Sequence, residues 1–310
     1  MKALLFDPIR YLAFFLSVIL IFWLTVGIAN DNFIIYRFLN YFAQYVLLIV
    51  SAITLLCFYK KYKLLLIINL SLFGILFLNI FIFSEQPTNI NSTQSKKNTL
   101  SVVSFSKMSR NDNFRELANI IDCNEFDLIV VQEIPDFDTF INSTDYKRNC
   151  FSVYNENVKK AVFSKFTIED RGNLGANQLV DISIGKEIIT VINVRLDKGI
   201  FNSQMQIMQA DSLAKAIKKI DNKLIVLGDF NSTEFNYPYQ VMTTHLNDSL
   251  REVGFNFSQT FPGKARRIGM LGPLIRIDYI FHKGFFVESA YVIDSSYGSD
   301  HYPVYTKFSF

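Results

Sequence analysis

Apolar and polar positions alternate on two different scales along this chain. Residues 11–28, 41–59 and 64–83 are three runs without a single Asp, Glu, Lys or Arg. Each has the roughly 20-residue length that a helix rising about 1.5 Å per residue needs to cross about 30 Å of hydrocarbon. Trp23, Tyr41, Tyr45, Tyr59 and Tyr62 lie at or near their ends, where ring edges suit a membrane–water interface. A cleaved leader could account for the first run, but not for the two that follow. The pattern predicts a three-helix transmembrane segment.

After residue 98 the runs shorten. Residues 100–105, 127–132, 160–163, 187–194, 223–227, 277–281, 287–292 and 304–308 are brief, β-branched and apolar, and predict strands. Phe114, Leu117, Ala118 and Ile121 recur at helical spacing. So do Met205, Met208, Leu213, Ala216, Ile217 and Ile220, in a helix expected over 202–220 with Asn202 or Ser203 as its cap. A short helix is expected over 239–244. Strands that are apolar on both faces need covering on both faces. The expected fold class is therefore α/β, a four-layer sandwich of two packed sheets flanked by helices.

Composition sharpens this division. The 310 residues are 50% hydrophobic and 19% charged, with a mean hydropathy of +0.21, against about 25% charged for an ordinary soluble domain. Residues 1–84 hold the excess. They carry Lys2, Arg10, Arg37, Lys60, Lys61 and Lys63 against Asp7 and Asp31, a net of +4; the whole chain is +3, so the remainder is about −1. The basic pI thus belongs to the membrane flanks. The rest lacks the broad positive field of a nonspecific nucleic-acid binder. Lys2 and Arg10 precede the first run and Lys60, Lys61 and Lys63 follow the second, whereas residues 30–40 hold only Arg37 beside Asp31. The positive-inside bias puts the N-terminus and the second loop in the cytoplasm, and everything after residue 83 outside the cytoplasmic (inner) membrane. Residues 84–98 are rich in Ser, Thr, Asn and Gln. The resulting map is an anchor over 1–84, a linker over 85–98 and a single domain with its own core over 99–310. Three Cys are too few for a disulfide scaffold, but Cys123 and Cys150 could pair in an oxidising compartment.

Polar residues gather just past the strand ends: Glu133, Asp229, Asn231, Asp278, Asp300 and His301. Singly, each has a plain reading. Asp229 and Asn231 suit an Asx turn, and Glu133 a solvated strand end. Asp278 is different, because a carboxylate set inside IDYIF needs a strong partner. His245 and His282 read as surface residues.

The order of these motifs resembles the endonuclease/exonuclease/phosphatase superfamily, which has a DNase I-like fold. That superfamily includes DNase I-like nucleases, neutral sphingomyelinases and inositol-polyphosphate 5-phosphatases. The matching segments are VVQEI at 130–134, SK at 164–165, VINVRLD at 191–197, VLGDFNST at 226–233, RIDYIF at 276–281 and GSDHYPV at 298–304. They run from about residue 98 to 310, and the apolar front end resembles a membrane-anchored bacterial branch. The resemblance implies a metal-dependent phosphoesterase using Mg²⁺ or Mn²⁺. Glu133 would be the principal metal ligand, with Asp300 and Ser106 in the metal shell. Asp229 would orient or deprotonate water, Asn231 would donate to the phosphate or that water, and Asp278 would hold His301 against the transition-state charge. Ser106 stands where the family usually has Asn. Arg195 stands where it usually has a His able to protonate the leaving oxygen, which Arg cannot do near neutral pH; it could clamp a phosphate instead. Arg276, with Lys264, Arg266 and Arg267, is a further candidate for gripping phosphate. The substrate stays open between a lipid headgroup and a nucleic acid, with the lipid bilayer as a partner. An extracytoplasmic nuclease, or an impaired member that binds a phosphorylated ligand or a protein, are the alternatives.

Overall fold

A computed structural model describes residues 7–81, 98–144, 149–253 and 258–310. Lys2 and nearly all of the expected linker, 85–97, lie outside the described residues. Helix α1 (Pro8–Phe22) starts at Asp7, whose side chain accepts from the Arg10 amide, and passes into a π-helical turn at Trp23–Gly27. Helices α2 (Ile34–Tyr41) and α3 (Ala43–Tyr59) meet at a 94° bend, and α4 (Lys63–Phe81) follows. Pro8–Gly27 and Lys63–Ile80 are long and apolar enough to cross a membrane, and α2 with α3 makes a third candidate if the bent pair counts as one.

Helix α2 falls where the sequence pattern suggested only a loop. It is amphipathic: Arg37, Asn40 and Tyr41 are buried, whereas Ile34 and Ile35 are exposed. The two ends of the helical bundle are chemically distinct. At one, the Tyr62 hydroxyl donates to Asp7, with the Arg10 guanidinium 6.0 Å from the Tyr62 ring. At the other lie Asp31 and α2.

The remaining residues build two six-stranded sheets. One uses β1 (Thr99–Ser106), β2 (Leu128–Gln132), β3 (Phe151–Asn155), β4 (Lys160–Ser164), β11 (Phe286–Val292) and β12 (Val304–Ser309), in the order β11-β12-β1-β2-β4-β3. The other uses β5 (Thr167–Leu174), β6 (Asn177–Ile184), β7 (Glu187–Arg195), β8 (Lys223–Asp229), β9 (Asn247–Asp248) and β10 (Asp278–Lys283), in the order β5-β6-β7-β8-β10-β9. Leu100, Val130, Val191, Ile225 and Ile280 belong to the core between them. Helices α5 (Phe114–Leu117) and α6 (Phe137–Ser143) cover the first sheet, and α7 (Gln204–Ile217) and α8 (Tyr237–Thr243) the second, with α9 (Ser249–Val253) beside it. The four expected layers are present.

Three departures have physical causes. Strands β3, β5 and β6 escape an apolar-run reading because β3 and β5 are edge strands, largely exposed, and β6 buries Asn177, Gln178 and Asp181. The expected 114–121 helix stops at Leu117, although Ile120 and Ile121 still fill the core. In α7 the inward face is Gln206, Ala210, Leu213, Ala214 and Ile217; Met205 and Met208 face outward instead. Ser203 is the N-cap residue of α7, as expected, but its hydroxyl donates to the Asp31 carbonyl, 2.7 Å away, rather than closing the helix end. The Cys123–Cys150 disulfide is formed, and Cys57 is buried among the N-terminal helices.

The domain is not merely tethered to the helices; it is docked on them. Asp31 is 1% exposed. Its carboxylate accepts from Asn40 Nδ2 at 3.0 Å, Asn236 Nδ2 at 2.8 Å and the Tyr237 amide at 2.7 Å. Thr233 donates to the Asn40 carbonyl, and the Ala29 amide to the Phe235 carbonyl. Phe235 inserts among the N-terminal helices and lies against Trp23.

Candidate active site

Strand geometry delivers the polar residues to one edge of the sandwich. Parallel pairing of β7 with β8 puts Arg195 opposite Asp229, and antiparallel pairing of β8 with β10 puts Asp229 opposite Asp278. The approach of β7 to β8 depends on Gly228. At φ 140° a Cβ there would meet the Val194 carbonyl oxygen at 2.0 Å. Between the sheets, the buried Asn193 accepts from Gln132 Nε2 at 2.8 Å and donates to Gln178 Oε1 at 3.1 Å. This polar cross-link sits directly behind Glu133 and Arg195 and fixes one sheet edge against the other. Glu133 and Asn231 both hold left-handed backbones, with φ of 63° and 47°; for Glu133 this is a conformation that costs free energy.

The centre of the site is buried and charged. His301 Nδ1 lies 2.9 Å from Asp278 Oδ2, and His301 Nε2 lies 4.0 Å from Asp229 Oδ2. Ligand atoms of Asp229, Asp278 and His301 all fall within 4.8 Å of one another. Burial disfavours the imidazolium, but Asp278 and Asp229 outweigh it and raise His301 to about 9. Burial pushes the Asp229 carboxyl up to about 6; His301 and Arg195 pull it down, while Asp278 adds to the rise. A protonated imidazole already bonded to Asp278 is a cation in its own right, so this trio is better described as a His–Asp pair facing Asp229 than as a metal cage.

Glu133 forms the opposite wall. Its Oε1 accepts from Arg195 Nη2 at 2.8 Å and Nε at 3.0 Å, and its Oε2 from the Ser109 amide and hydroxyl at 3.0 and 2.7 Å. Burial works against its ionised form, yet Arg195 and Ser109 hold it at about 2. The same guanidinium lies 3.9 Å from Asp229 Oδ2. Arg195 therefore bridges Glu133 and Asp229.

Other sequence expectations meet the structure differently. Asn231 is in place, but its amide nitrogen donates to Asp229 Oδ2 and the Leu196 carbonyl, each at 2.9 Å. Both N–H groups are thereby engaged, so what it can offer a ligand is its carbonyl oxygen rather than the donor expected. Asp300 presents Oδ2 to Arg266, whose Nη2 and Nε approach at 2.7 and 2.8 Å, while its Oδ1 lies 4.0 Å from His301 Nε2. The buried Ser106 hydroxyl has no hydrogen-bond partner among the described residues. Arg276 is not a substrate grip. It is 2% exposed, paired with Glu234 at 3.1 Å and with Asp248, and stacked over Tyr279 at 4.5 Å. His282, expected at the surface, is fully buried against Phe308 and 3.3 Å from Glu252.

Sequence reasoning passed over Ser109 and Lys160. Lys160 is buried at the start of β4 and donates to the Ala176 carbonyl at 2.5 Å. Burial and the charge of Arg195 bring it down to about 8, against Asp229 and Glu133. A lysine opening an apolar strand was the available signal. Ser109 carried none, being one serine in a polar loop. The Asn231 backbone carbonyl accepts from Gln206 Nε2 at 2.7 Å and from the Tyr41 hydroxyl, so α2 reaches the loop after β8 that carries Asn231.

The Endonuclease/Exonuclease/phosphatase family model matches residues 89–301, well over half of the chain, and the protein belongs to that family. Its fold is similar to that of the endonuclease/exonuclease/phosphatase family protein from Bacteroides thetaiotaomicron. The two are 15% identical with a TM-score of 0.56, over 69% of this chain and 95% of that one. The Bacteroides vulgatus endonuclease/exonuclease/phosphatase is 16% identical, with a TM-score of 0.54 over 68% and 99%. Truncated Caenorhabditis elegans TDP2 is 18% identical, with a TM-score of 0.52 over 68% and 98%. No curated protein sequence matches the chain.

Proposed function

We propose that this protein is a membrane-anchored phosphoesterase whose catalytic domain lies outside the cytoplasmic membrane. The observation that carries the activity is the His301–Asp278 pair facing Asp229, with Glu133 and Arg195 across from it. The oxygen donors of Glu133, the Asn231 side-chain Oδ1 and the unpartnered Ser106 hydroxyl suit a hard cation, and these residues would hold Mg²⁺ or Mn²⁺. When bound, the ion supplies charge neutralisation on the phosphoryl oxygens.

The chain's own groups account for the rest. Asp229, raised to about 6, can take a proton from an attacking water near neutral pH. His301, kept protonated by Asp278, stabilises negative charge on the phosphoryl group and can return a proton to the leaving oxygen. Arg195 is permanently charged and binds a phosphoryl oxygen as it leaves Glu133. The anchor reading is supported by the apolar helices α1 and α4. The disulfide and the bundle's polarity, with Arg10, Lys61 and Lys63 gathered beside Asp7 and Tyr62 at the end away from the domain, favour an oxidising, extracytoplasmic side.

The test uses the full chain in detergent with a bis-aryl phosphodiester, a phosphomonoester, plasmid DNA and a phospholipid in parallel. Turnover requiring Mg²⁺ or Mn²⁺ and reduced at least about a hundredfold by Asp229→Ala is expected. A folded chain inactive on all four overturns the reading. One observation favours a second reading. Arg195 occupies the place of a proton donor and neutralises Glu133, which suits a phospho-ligand binder. Arg195→His distinguishes the two, since a large gain in turnover would mark the present chain as impaired.

A further inference from the structure

The loop between α9 and β10 joins the active site to the membrane helices. At its site end, the Gly263 amide donates to the Asp300 carbonyl at 2.7 Å, Arg266 pairs with the Asp300 carboxylate, and the Phe261 ring lies 5.1 Å from that of His301. At its other end, the Leu274 carbonyl accepts from Gln44 and from the Tyr45 hydroxyl at 2.7 Å, both in the first turn of α3. Between these moorings a 3-10 turn, Arg267–Leu271, exposes Ile268 at 54%, Met270 at 80% and Leu271 at 85%. Lys264 and Arg267 are exposed beside them. Among the described residues, neither has a carboxylate within ion-pair distance.

A soluble loop does not ordinarily project three large apolar side chains from five residues. Apolar tips flanked by unpaired cations are what an interface-seeking segment carries, the tips for the acyl boundary and the cations for anionic headgroups. The base of this loop is fixed to the start of an apolar helix of 17 residues, so its tip is held beside the bilayer that α3 enters. A second apolar contact runs along α2, where Phe38 meets the 77%-exposed Phe201 at 6.0 Å beside the exposed Ile34 and Ile35.

We infer that the Arg267–Leu271 turn inserts into the membrane surface next to Asp300 and His301, and that the substrate is a phosphoester of a membrane lipid. This rests on the reading above as a membrane-anchored phosphoesterase. The lipid is presented headgroup-first at the site edge, with its acyl chains remaining in the bilayer, and Lys264 and Arg267 hold neighbouring anionic headgroups.

The test reconstitutes the full chain in vesicles of anionic phospholipid. A Met270→Trp variant is compared with wild type using lipids brominated along the acyl chain, Trp23 being the single native tryptophan whose signal is subtracted. Quenching of the added tryptophan is expected, and its absence overturns the inference whatever the activity. In parallel, Met270→Glu/Leu271→Glu should lower the ratio of vesicle-phospholipid to soluble-diester turnover at least tenfold. Both sites are well exposed, so the fold tolerates the change. Quenching with an unchanged ratio overturns the substrate assignment and leaves the turn as an anchor. Wild type that hydrolyses neither substrate defeats the phosphoesterase reading and the substrate assignment with it, while the quenching still decides insertion.

Discussion

Replacing Asp31 by alanine probes the seam between the N-terminal helices and the domain at its most connected point. The substitution removes an acceptor from three buried donors: Asn40 Nδ2, Asn236 Nδ2 and the Tyr237 amide. A buried donor left without a partner costs roughly 1–3 kcal/mol. Taking the low end for each, because one buried carboxylate is relieved at the same time, the three sum to about 3 kcal/mol. A shift of about 2–4 °C per kcal/mol for a unit of this size then gives a loss of about 6–12 °C in thermal midpoint. Trp23 reports the event directly, since its indole donates to Asn40 Oδ1 at 2.8 Å and Asn40 in turn donates to Asp31. The assay is thermal unfolding of the full chain in detergent, read by tryptophan emission, for Asp31→Ala, Asn236→Ala and the double variant. A coupling of at least about 1 kcal/mol is expected for residues in direct contact. Strict additivity, with Trp23 emission unmoved by Asp31→Ala, would refute the claim that this carboxylate ties the two parts together.

Arg276→Ala should destabilise the chain by about 3 kcal/mol, because it strands the buried Asp248 carboxylate and leaves the half-buried Glu234 without its cation; denaturant unfolding measures this, and a changed KM at unchanged stability would contradict it. Arg195→Gln should free Glu133 and tighten Mn²⁺ binding about tenfold, or about 1.4 kcal/mol, in calorimetry, while turnover falls; unaltered affinity would show that the Arg195–Glu133 pair does not oppose a cation. Gly228→Ala should cost more than about 3 kcal/mol, since both the backbone angle and the Val194 carbonyl exclude a methyl group; a near-native thermal midpoint would count against the close approach of β7 and β8.

Much of the architecture was readable because burial on both faces writes itself as continuous apolar runs. Residues 127–132 and 223–227 could only be covered strands, and the polar residues after them had to lie at a sheet edge. Strand β6 was illegible for the opposite reason. Asn177, Gln178 and Asp181 look solvated until their partners are known, and those partners come from other strands. The site was legible as a set of residue types but not as a set of pairings. Nothing local in RID announces that Arg276 lies beneath tyrosines with Asp248, or in SDH that Asp300 is turned to Arg266. Helix α2 hid for a related reason. Its polar residues are polar toward the docked domain, whereas the sequence alone offered only water as their partner.

The docking of Phe235 and Asp31 has a consequence for how the chain can be taken apart. A peptide bond cut between residues 81 and 98 would leave the two fragments held by a buried carboxylate, an inserted ring and the hydroxyl of Tyr41. The covalent connection is then redundant as a leash. A protease acting there would yield a nicked chain whose domain stays with its apolar helices, and the halves expressed as separate polypeptides would have the information to find each other.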